Sequence, residues 1–313
     1  MTRNYKIATV FGGTGFVGAL VVRELAKRGI RVKVATRVPE SAYFLKPAGS
    51  VGQIVPFACN YADPASIALA VSGCDYVVNC IGILAEKKKG AFERVHTALP
   101  VEIAKACKSA GVKRFVHISA LGADQANSHY AQSKLAGEKA VLKTFKTTSI
   151  LRPSVIFGEG DSFFNMFAEM ARYLPALPLI GGGWTRFQPV FVGDVAAAVM
   201  ACLEREDTPG NIYELGGPEI LNFREIYQRL FKFTGRERKL VKIPFCMAKI
   251  QAFFMGIIPN PPLTRDQVET LKTDNVVSQK ALSLEDLEIQ PTALDLILPL
   301  YLETYKPGGR FAA

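Results

Sequence analysis

The sequence predicts an α/β protein: a doubly wound parallel sheet with helices on both faces, and a smaller α/β lobe toward the C-terminus. Three observations carry that class. Short β-branched runs alternate with longer stretches of helical apolar spacing through the first half of the chain. The first run, Ile7 to Phe11, opens into "GGTGFVG" (Gly12 to Gly18), and a helical pattern follows at once. From about Pro153 onward the alternation loosens as glycine and proline accumulate, in "LPALPLIGGGW" and "MGIIPNPPLT".

Taken in order, "YKIATVFG" is a strand and "FVGALVVRELAKRG" a helix with apolar residues at helical spacing, stopped by Gly29. "RVKVAT" is the second strand and "GQIVPFAC" the third. "ADPASIALAVSG" follows, with Asp63 as N-cap and Pro64 at the first helical position. "CDYVVNCIG", the amphipathic "ALPVEIAKACKSAG" ending at Gly111, "KRFVHISA" and "TTSILRPSVIFG" continue the pattern. Regular alternation implies parallel strands joined by right-handed crossovers. The reading is a dinucleotide-type domain over residues 1–155 and a lobe over 156–313, with segments around 186–216 returning to the main sheet. "GNIYELGG" is the expected returning strand. "FFNMFAEMARYLPALPLIG" reads as an apolar helix broken at Pro175 and Pro178, with Phe163, Phe164, Phe167 and Tyr173 assigned to packing. The alternative for these aromatics is a lining for a hydrophobic ligand or partner. Asp194 is expected to cap a helix, and Arg186 is taken as structural.

Composition narrows the function. The chain has 313 residues, 49% hydrophobic, enough for a substantial core. Thirty-eight Lys and Arg against 28 Asp and Glu give a net charge of +10, which favours phosphates, acidic proteins or anionic lipid. The basic residues are scattered apart from "EKKKG" and "GRERKLVK", without interleaved stacking aromatics, so nucleic acid is excluded as the partner. Six cysteines form no CxxC pair, and three histidines are not spaced as ligands beside them; no metal site is expected. Free thiols indicate a reducing compartment: the cytoplasm or its mitochondrial matrix equivalent. The N-terminus enters a strand directly, without a signal peptide, so secretion is not expected. No apolar run reaches the roughly 18 residues that span a bilayer. "PFCMAKIQAFFMGII", Pro244 to Ile258, comes nearest; it is either a buried lobe helix or one that faces a membrane surface or partner.

The glycine loop defines the first candidate site. Gly13, Gly15 and Gly18 satisfy G-x-G-x-x-G, and Gly12, Gly15 and Gly18 satisfy G-x-x-G-x-x-G. Between strand and helix, small residues allow a sharp turn, close backbone approach to a pyrophosphate and tight helix packing. The helix N-terminus adds N–H donors and partial positive charge. Gly12, Gly13, Thr14, Gly15, Phe16, Val17 and Gly18 are therefore assigned to cofactor binding. An NAD site places an acid at the end of the second strand; here that place reads Thr36-Arg37. A guanidinium suits a 2′-phosphate, so NADP(H) is expected ahead of NAD(H). Asn60 and Tyr61 after the third strand edge the adenine side. Cys80, Ile81 and Gly82 after the fourth lie beside the cofactor.

The fifth strand delivers Ser119 to the same sheet edge, and "HYAQSKLAGE" places Tyr130 and Lys134 one helical turn apart. With "GGTGFVG", this set resembles the short-chain dehydrogenase/reductase superfamily, and "LRPSVIFG" and "RFQPVFVGDVA" are similar to the later motifs of its extended and atypical branches. The resemblance implies a Rossmann fold and catalysis through Ser119, Tyr130 and Lys134. In that chemistry Lys134 favours the phenolate of Tyr130 and holds the nicotinamide ribose, while Ser119 donates to a substrate carbonyl.

"HISALGAD", "YAQSKLAGEKAV", the long block from Phe163 to Val199 and "YELGGPEILNFREI" resemble one atypical branch more closely: the NADPH-binding accessory subunit of respiratory complex I and its bacterial relatives. That resemblance implies a structural nucleotide, complex I subunits as partners near the membrane surface, and a peripheral place on the inner membrane. An anionic lipid or quinone-like ligand is the further candidate. The alternative is a free-standing NADP-dependent oxidoreductase or epimerase acting on a carbonyl or hydroxyl substrate.

Overall fold

The computed structural model describes residues 5–255, 261 and 263–309. Seven parallel strands form the main sheet: β1 (Ile7–Phe11), β2 (Arg31–Thr36), β3 (Ile54–Ala58), β4 (Tyr76–Asn79), β5 (Arg114–Ile118), β6 (Ser149–Pro153) and, after an excursion, β11 (Ile212–Leu215). Their order is β11-β6-β5-β4-β1-β2-β3. The sequence reverses direction at β1, which pairs with β2 on one side and β4 on the other, so the crevice for a ligand opens beyond its C-terminal end. β4 is buried along its whole length, as a strand covered on both faces must be.

Two layers of helices cover the sheet. α1 (Phe16–Lys27) and α6 (Val192–Glu204) pack together on one face, over Val21, Val22, Leu25, Val195 and Val199. α2 (Pro64–Val71), α3 (Leu99–Ala110) and α4 (His129–Thr144) cover the other, against Phe11, Val77 and Phe115. Asp63 accepts a hydrogen bond from the N–H of Ala65, with Pro64 behind it, as the sequence predicts. The "GNIYELGG" strand returns beside β6 as β11.

Between β6 and β11 the chain builds part of a second body. β7 (Ile156–Phe157) pairs with β10 (Val190–Phe191), and β9 (Arg186–Phe187) with β12 (Leu221–Asn222). β8 (Ala176–Ile180) pairs in parallel with β13 (Lys239–Ile243). The stretch read as a broken helix is thus a helix, α5 (Phe163–Tyr173), followed by a strand; a two-stranded ribbon tolerates Pro178 because each strand leaves one edge unpaired. α5, α7 (Phe223–Thr234) and α10 (Leu294–Leu302) enclose an aromatic core of Phe164, Phe167, Phe223 and Tyr227. Tyr173, expected in that packing, is instead 69% exposed at the end of α5. Asp194 lies inside the first turn of α6, where it accepts from the N–H and hydroxyl of Thr292; it ties the C-terminal segment down and is not the cap.

α8 (Phe245–Met255) and α9 (Arg265–Thr270) form a small outer pair. Only Ala248 and Ala252 of α8 are buried, while Met247, Ile250, Phe253 and Phe254 are exposed. The buried-lobe-helix alternative is therefore overturned; the last residues of that predicted helix, 256–258, lie outside the described residues.

Candidate functional site

The glycine loop is built by sterics. Gly12 has φ +74°, in the left-handed region that suits glycine. A Cβ on Gly18 would come within 2.1 Å of the Gly12 carbonyl oxygen, so only glycine lets α1 start this close to β1. Gly13 serves a different end: its α-carbon faces Val34 and Val22, where a Cβ would meet Val34 at 2.9 Å. α1 begins at Phe16 behind Gly15, with no side-chain cap among the described residues and no acid in its first turn. Its leading N–H groups thus face the crevice with uncompensated partial positive charge.

Opposite this helix end stands α4. Ser128 caps it by accepting from the N–H of Ala131, and Tyr130 and Lys134 project from its first two turns. Lys134 is buried, and its Nζ donates to the carbonyl of Ile118 at 3.3 Å. Burial lowers its pKa from the ordinary 10.5 to about 8, against the opposing pull of Glu138 and Cys80. Gly82 leaves room for this ammonium: a Cβ there would lie 3.3 Å from Nζ. Burial pushes the Tyr130 phenol up to about 12, so the expected lowering by Lys134 is absent from this geometry. Ser119, at the end of β5, is 4% exposed, and its Oγ has no hydrogen-bond partner among the described residues.

One cleft of about 500 Å³ joins these groups. Gly12, Gly15, Phe16, Val17, Gly18, Cys80, Gly82, Ser119, Tyr130 and Lys134 all line it. Gly13, Thr14, Arg37, Asn60, Tyr61 and Ile81 lie outside that lining. Ile81 supports its wall from behind, donating its N–H to Asn79 Oδ1. Gly13 and Thr14 belong to the glycine loop itself, and Arg37, Asn60 and Tyr61 follow β2 and β3. The Arg37 guanidinium stands 5.8 Å from the centroid of the Tyr61 ring, and the Tyr61 hydroxyl donates to the Ala35 carbonyl. The side-chain oxygen of Asn60 accepts from the N–H of Ala62 and shapes the turn after β3. Arg186 is paired with Asp274 at 2.7 Å. Leu84, Leu121, Val155, Phe163, Phe187 and Leu271 give the rest of the cleft an apolar share, beside Ser154, Thr270, Thr273, Asp274 and Asn275.

Several residues that shape the site escape the sequence reading. Pro100 follows His96 by four positions and offers no N–H to its carbonyl, so the helix ahead of α3 widens to a π-turn over Glu93–Ala98. The His96 carbonyl then meets α4 at Gly137, where a Cβ would lie 1.9 Å from it. The His96 ring sits edge-on to Tyr130, with centroids 5.4 Å apart. Its Nε2 accepts from the N–H of Ile83, which assigns the proton to Nδ1, and Nδ1 donates to Ser133 Oγ at 2.8 Å. Burial and the Lys134 charge hold His96 down to about 3, so it stays neutral. Arg152 of β6 pairs with Glu138 of α4 at 2.7 Å and with Glu214 of β11 at 3.4 Å, all three buried. Asn275 joins the second body to the sheet edge, donating to the Leu121 carbonyl and accepting from Ser154 Oγ at 2.6 Å. The proline four residues after His96 was the one legible signal among these.

Among the described residues no group of side chains could hold a metal ion, all six cysteines are free, and no helix is long and apolar enough to cross a membrane. The family model described as the NAD dependent epimerase/dehydratase family matches residues 8–216. An Arabidopsis thaliana protein, NADH dehydrogenase (ubiquinone) 1 alpha subcomplex subunit 9, mitochondrial, is 35% identical, the match covering 97% of this chain and 79% of that protein. The Neurospora crassa NADH-ubiquinone oxidoreductase 40 kDa subunit, mitochondrial, is 30% identical over 97% of this chain and 80% of its own. The Escherichia coli NADPH-dependent quinone oxidoreductase, solved with NADPH, shares the fold at a TM-score of 0.74, with 19% identity over 94% of this chain and 98% of that one. The chain belongs to the NAD dependent epimerase/dehydratase family, among relatives that include these mitochondrial NADH dehydrogenase subunits.

Proposed function

We propose that the chain is an accessory subunit of a respiratory NADH:ubiquinone oxidoreductase that holds NADP(H) as part of its architecture. The observation that carries this reading is the reach of the likeness: 35% identity extends over 97% of the chain, second body included. A dinucleotide fits the residues present. The close approach of α1 to the loop backbone that Gly18 allows and the uncapped start of α1 suit a pyrophosphate held by Gly12, Gly15, Phe16, Val17 and Gly18, with Gly13 and Thr14 shaping the loop. Arg37, exposed over Tyr61 at a strand end without an acid, supports NADP(H) over NAD(H), with Asn60 and Tyr61 at the adenine edge. Cys80, Ile81 and Gly82 flank the far half, where Lys134 holds the nicotinamide ribose. When bound, the nucleotide supplies a hydride donor or acceptor.

The place we assign is peripheral, on the membrane side of the host complex that faces the cytoplasm or mitochondrial matrix. The exposed apolar face of α8, next to Lys239 and Lys242, supports contact with anionic lipid. The test is native-gel fractionation of gently solubilised membranes, probing this protein and NADH dehydrogenase activity together. Co-migration at high mass is expected; migration near monomer or dimer mass overturns the subunit reading.

A second reading rests on one observation, the buried Ser119 Oγ that lacks a partner and lines the cleft with Tyr130. That pair, with Lys134, suits an NADP-dependent oxidoreductase or epimerase, and the apolar side chains lining the cleft suit a quinone-like or lipidic carbonyl. Tyr130→Phe separates the readings. A subunit with a structural nucleotide keeps its function; an enzyme loses turnover while nucleotide stays bound.

A further inference from the structure

The start of α4 is completed from outside the sheet domain. Ser128 satisfies the N–H of Ala131, and Asp266 of α9 takes the two before it: Oδ1 accepts from His129 N–H at 2.7 Å and Oδ2 from Tyr130 N–H at 3.0 Å. One carboxylate from the outer pair thus spans the N-terminus of the helix that carries Tyr130 and Lys134, where negative charge is favoured. The end of α9 and the segment after it then become cleft wall, from Thr270 through Leu271 and Thr273 to Asn275. A ligand in the cleft therefore lies between α4 and the continuation of α9.

α9 is in turn fastened to α8. Lys249 pairs with Glu269 at 2.6 Å, and the Arg265 guanidinium covers the Phe253 ring at 4.7 Å. Among the described residues the buried core of this pair is small: Ala248, Ala252 and Val268, with Ile180, Ile243, Phe245 and Leu263 packed against it. A weakly held element joined at one end to the helix bearing Lys134 is placed to respond to whatever fills the cleft.

We propose that Asp266 couples occupancy of the nucleotide cleft to the seating of α8 and α9. The inference rests on the nucleotide reading above and deepens it. Nucleotide bridging α4 and the 270–275 wall holds α9 in place and, through it, α8. By reciprocity, loosening α8 weakens the nucleotide by the same factor. The nucleotide thereby becomes the condition for presenting the exposed face of α8.

The experiment is a double-mutant cycle on the full chain with NADPH as the probe, read by calorimetry and by hydrogen exchange. Asp266→Asn is expected to weaken NADPH roughly 5-fold or more. Lys249→Ala, combined with Phe253→Ala and remote from the cleft, is expected to weaken it in the wild-type background and to add nothing when Asp266 is already changed. NADPH should slow exchange across residues 245–255 in the wild type but not in Asp266→Asn, while protection of the Gly12–Gly18 loop persists in both. Additive effects, or undiminished protection of 245–255 in Asp266→Asn, overturn the coupling. If Asp266→Asn does not fold, unchanged NADPH affinity in the Lys249/Phe253 variant overturns it alone. Failure of the wild type to bind NADPH, seen as no protection of the glycine loop, removes the nucleotide reading itself and this inference with it.

Discussion

Lys134 concentrates the electrostatics of the cleft in one ammonium. Its pKa lies at about 8 in the folded chain against an ordinary 10.5, so between those values the unfolded chain binds more protons. Its contribution to stability therefore rises with pH across that window, by roughly 3 kcal/mol at most, whereas its attraction for an anionic ligand fades above pH 8. Thermal unfolding of wild type and Lys134→Met between pH 7.5 and 10.5, with NADPH titrations alongside, should show the two trends moving in opposite directions. The buried neutral histidines act at the other end of the scale. His96 and His117 are both held down to about 3, so stability present above about pH 6.5 is lost as the pH falls toward 3. Replacing His96 by Gln should flatten part of that acid limb. Arg37→Ala is expected to weaken NADPH by about 10- to 150-fold, the span of a lost charge-assisted contact of about 1.5–3 kcal/mol, and to leave NADH unchanged in parallel calorimetry.

Helix α4 is the element on which the candidate site depends, and it is fixed from four directions. Ser128 and Asp266 hold its start, the His96 carbonyl abuts Gly137 midway, and Arg152 grips Glu138. Gly137→Ala must push apart two backbones in contact, and a loss of about 1–3 kcal/mol is expected from overpacking. Arg152→Met strands Glu138 and Glu214 together in the interior; a loss of about 3–5 kcal/mol should appear as a large drop in melting temperature. The same elements mark where sequence reading succeeds and stops. Strands and helices carrying a single-period signal, such as Arg31–Thr36 and Phe16–Lys27, were legible because local spacing decides them. Ser119, Tyr130 and Lys134 were legible as a spacing. What joins α4 to its neighbours was not: His96 and Asp266 are distant from it in sequence, Arg152 lies on the following strand, and only tertiary packing gives them partners. The strand at Ala176–Ile180 was hidden by Pro178 within it and Pro175 just before it; a two-stranded ribbon admits the inner one. The environment of Tyr130 was misjudged because spacing alone carries no information on burial.

The whole molecule is ordered by the late arrival of β11. The chain leaves the sheet after β6, lays down β7, α5, β8, β9, β10 and α6, and only then returns to cover β6 with Ile212–Leu215; the ribbon partners β12 and β13 follow later still. Glu214 of that strand also contributes to the buried charge cluster, and its backbone N–H reaches the Leu282 carbonyl. The two bodies are therefore interleaved along the chain, and no single cut yields two finished halves. A fragment ending at residue 155 would expose the outer edge of β6, a strand buried along its full length, as a row of unpaired backbone groups beside apolar surface. Such a fragment should aggregate or stay trapped on chaperones rather than bind nucleotide as an independent module. A ribosome making this protein meets the same difficulty: the sheet cannot close until more than two thirds of the chain has emerged.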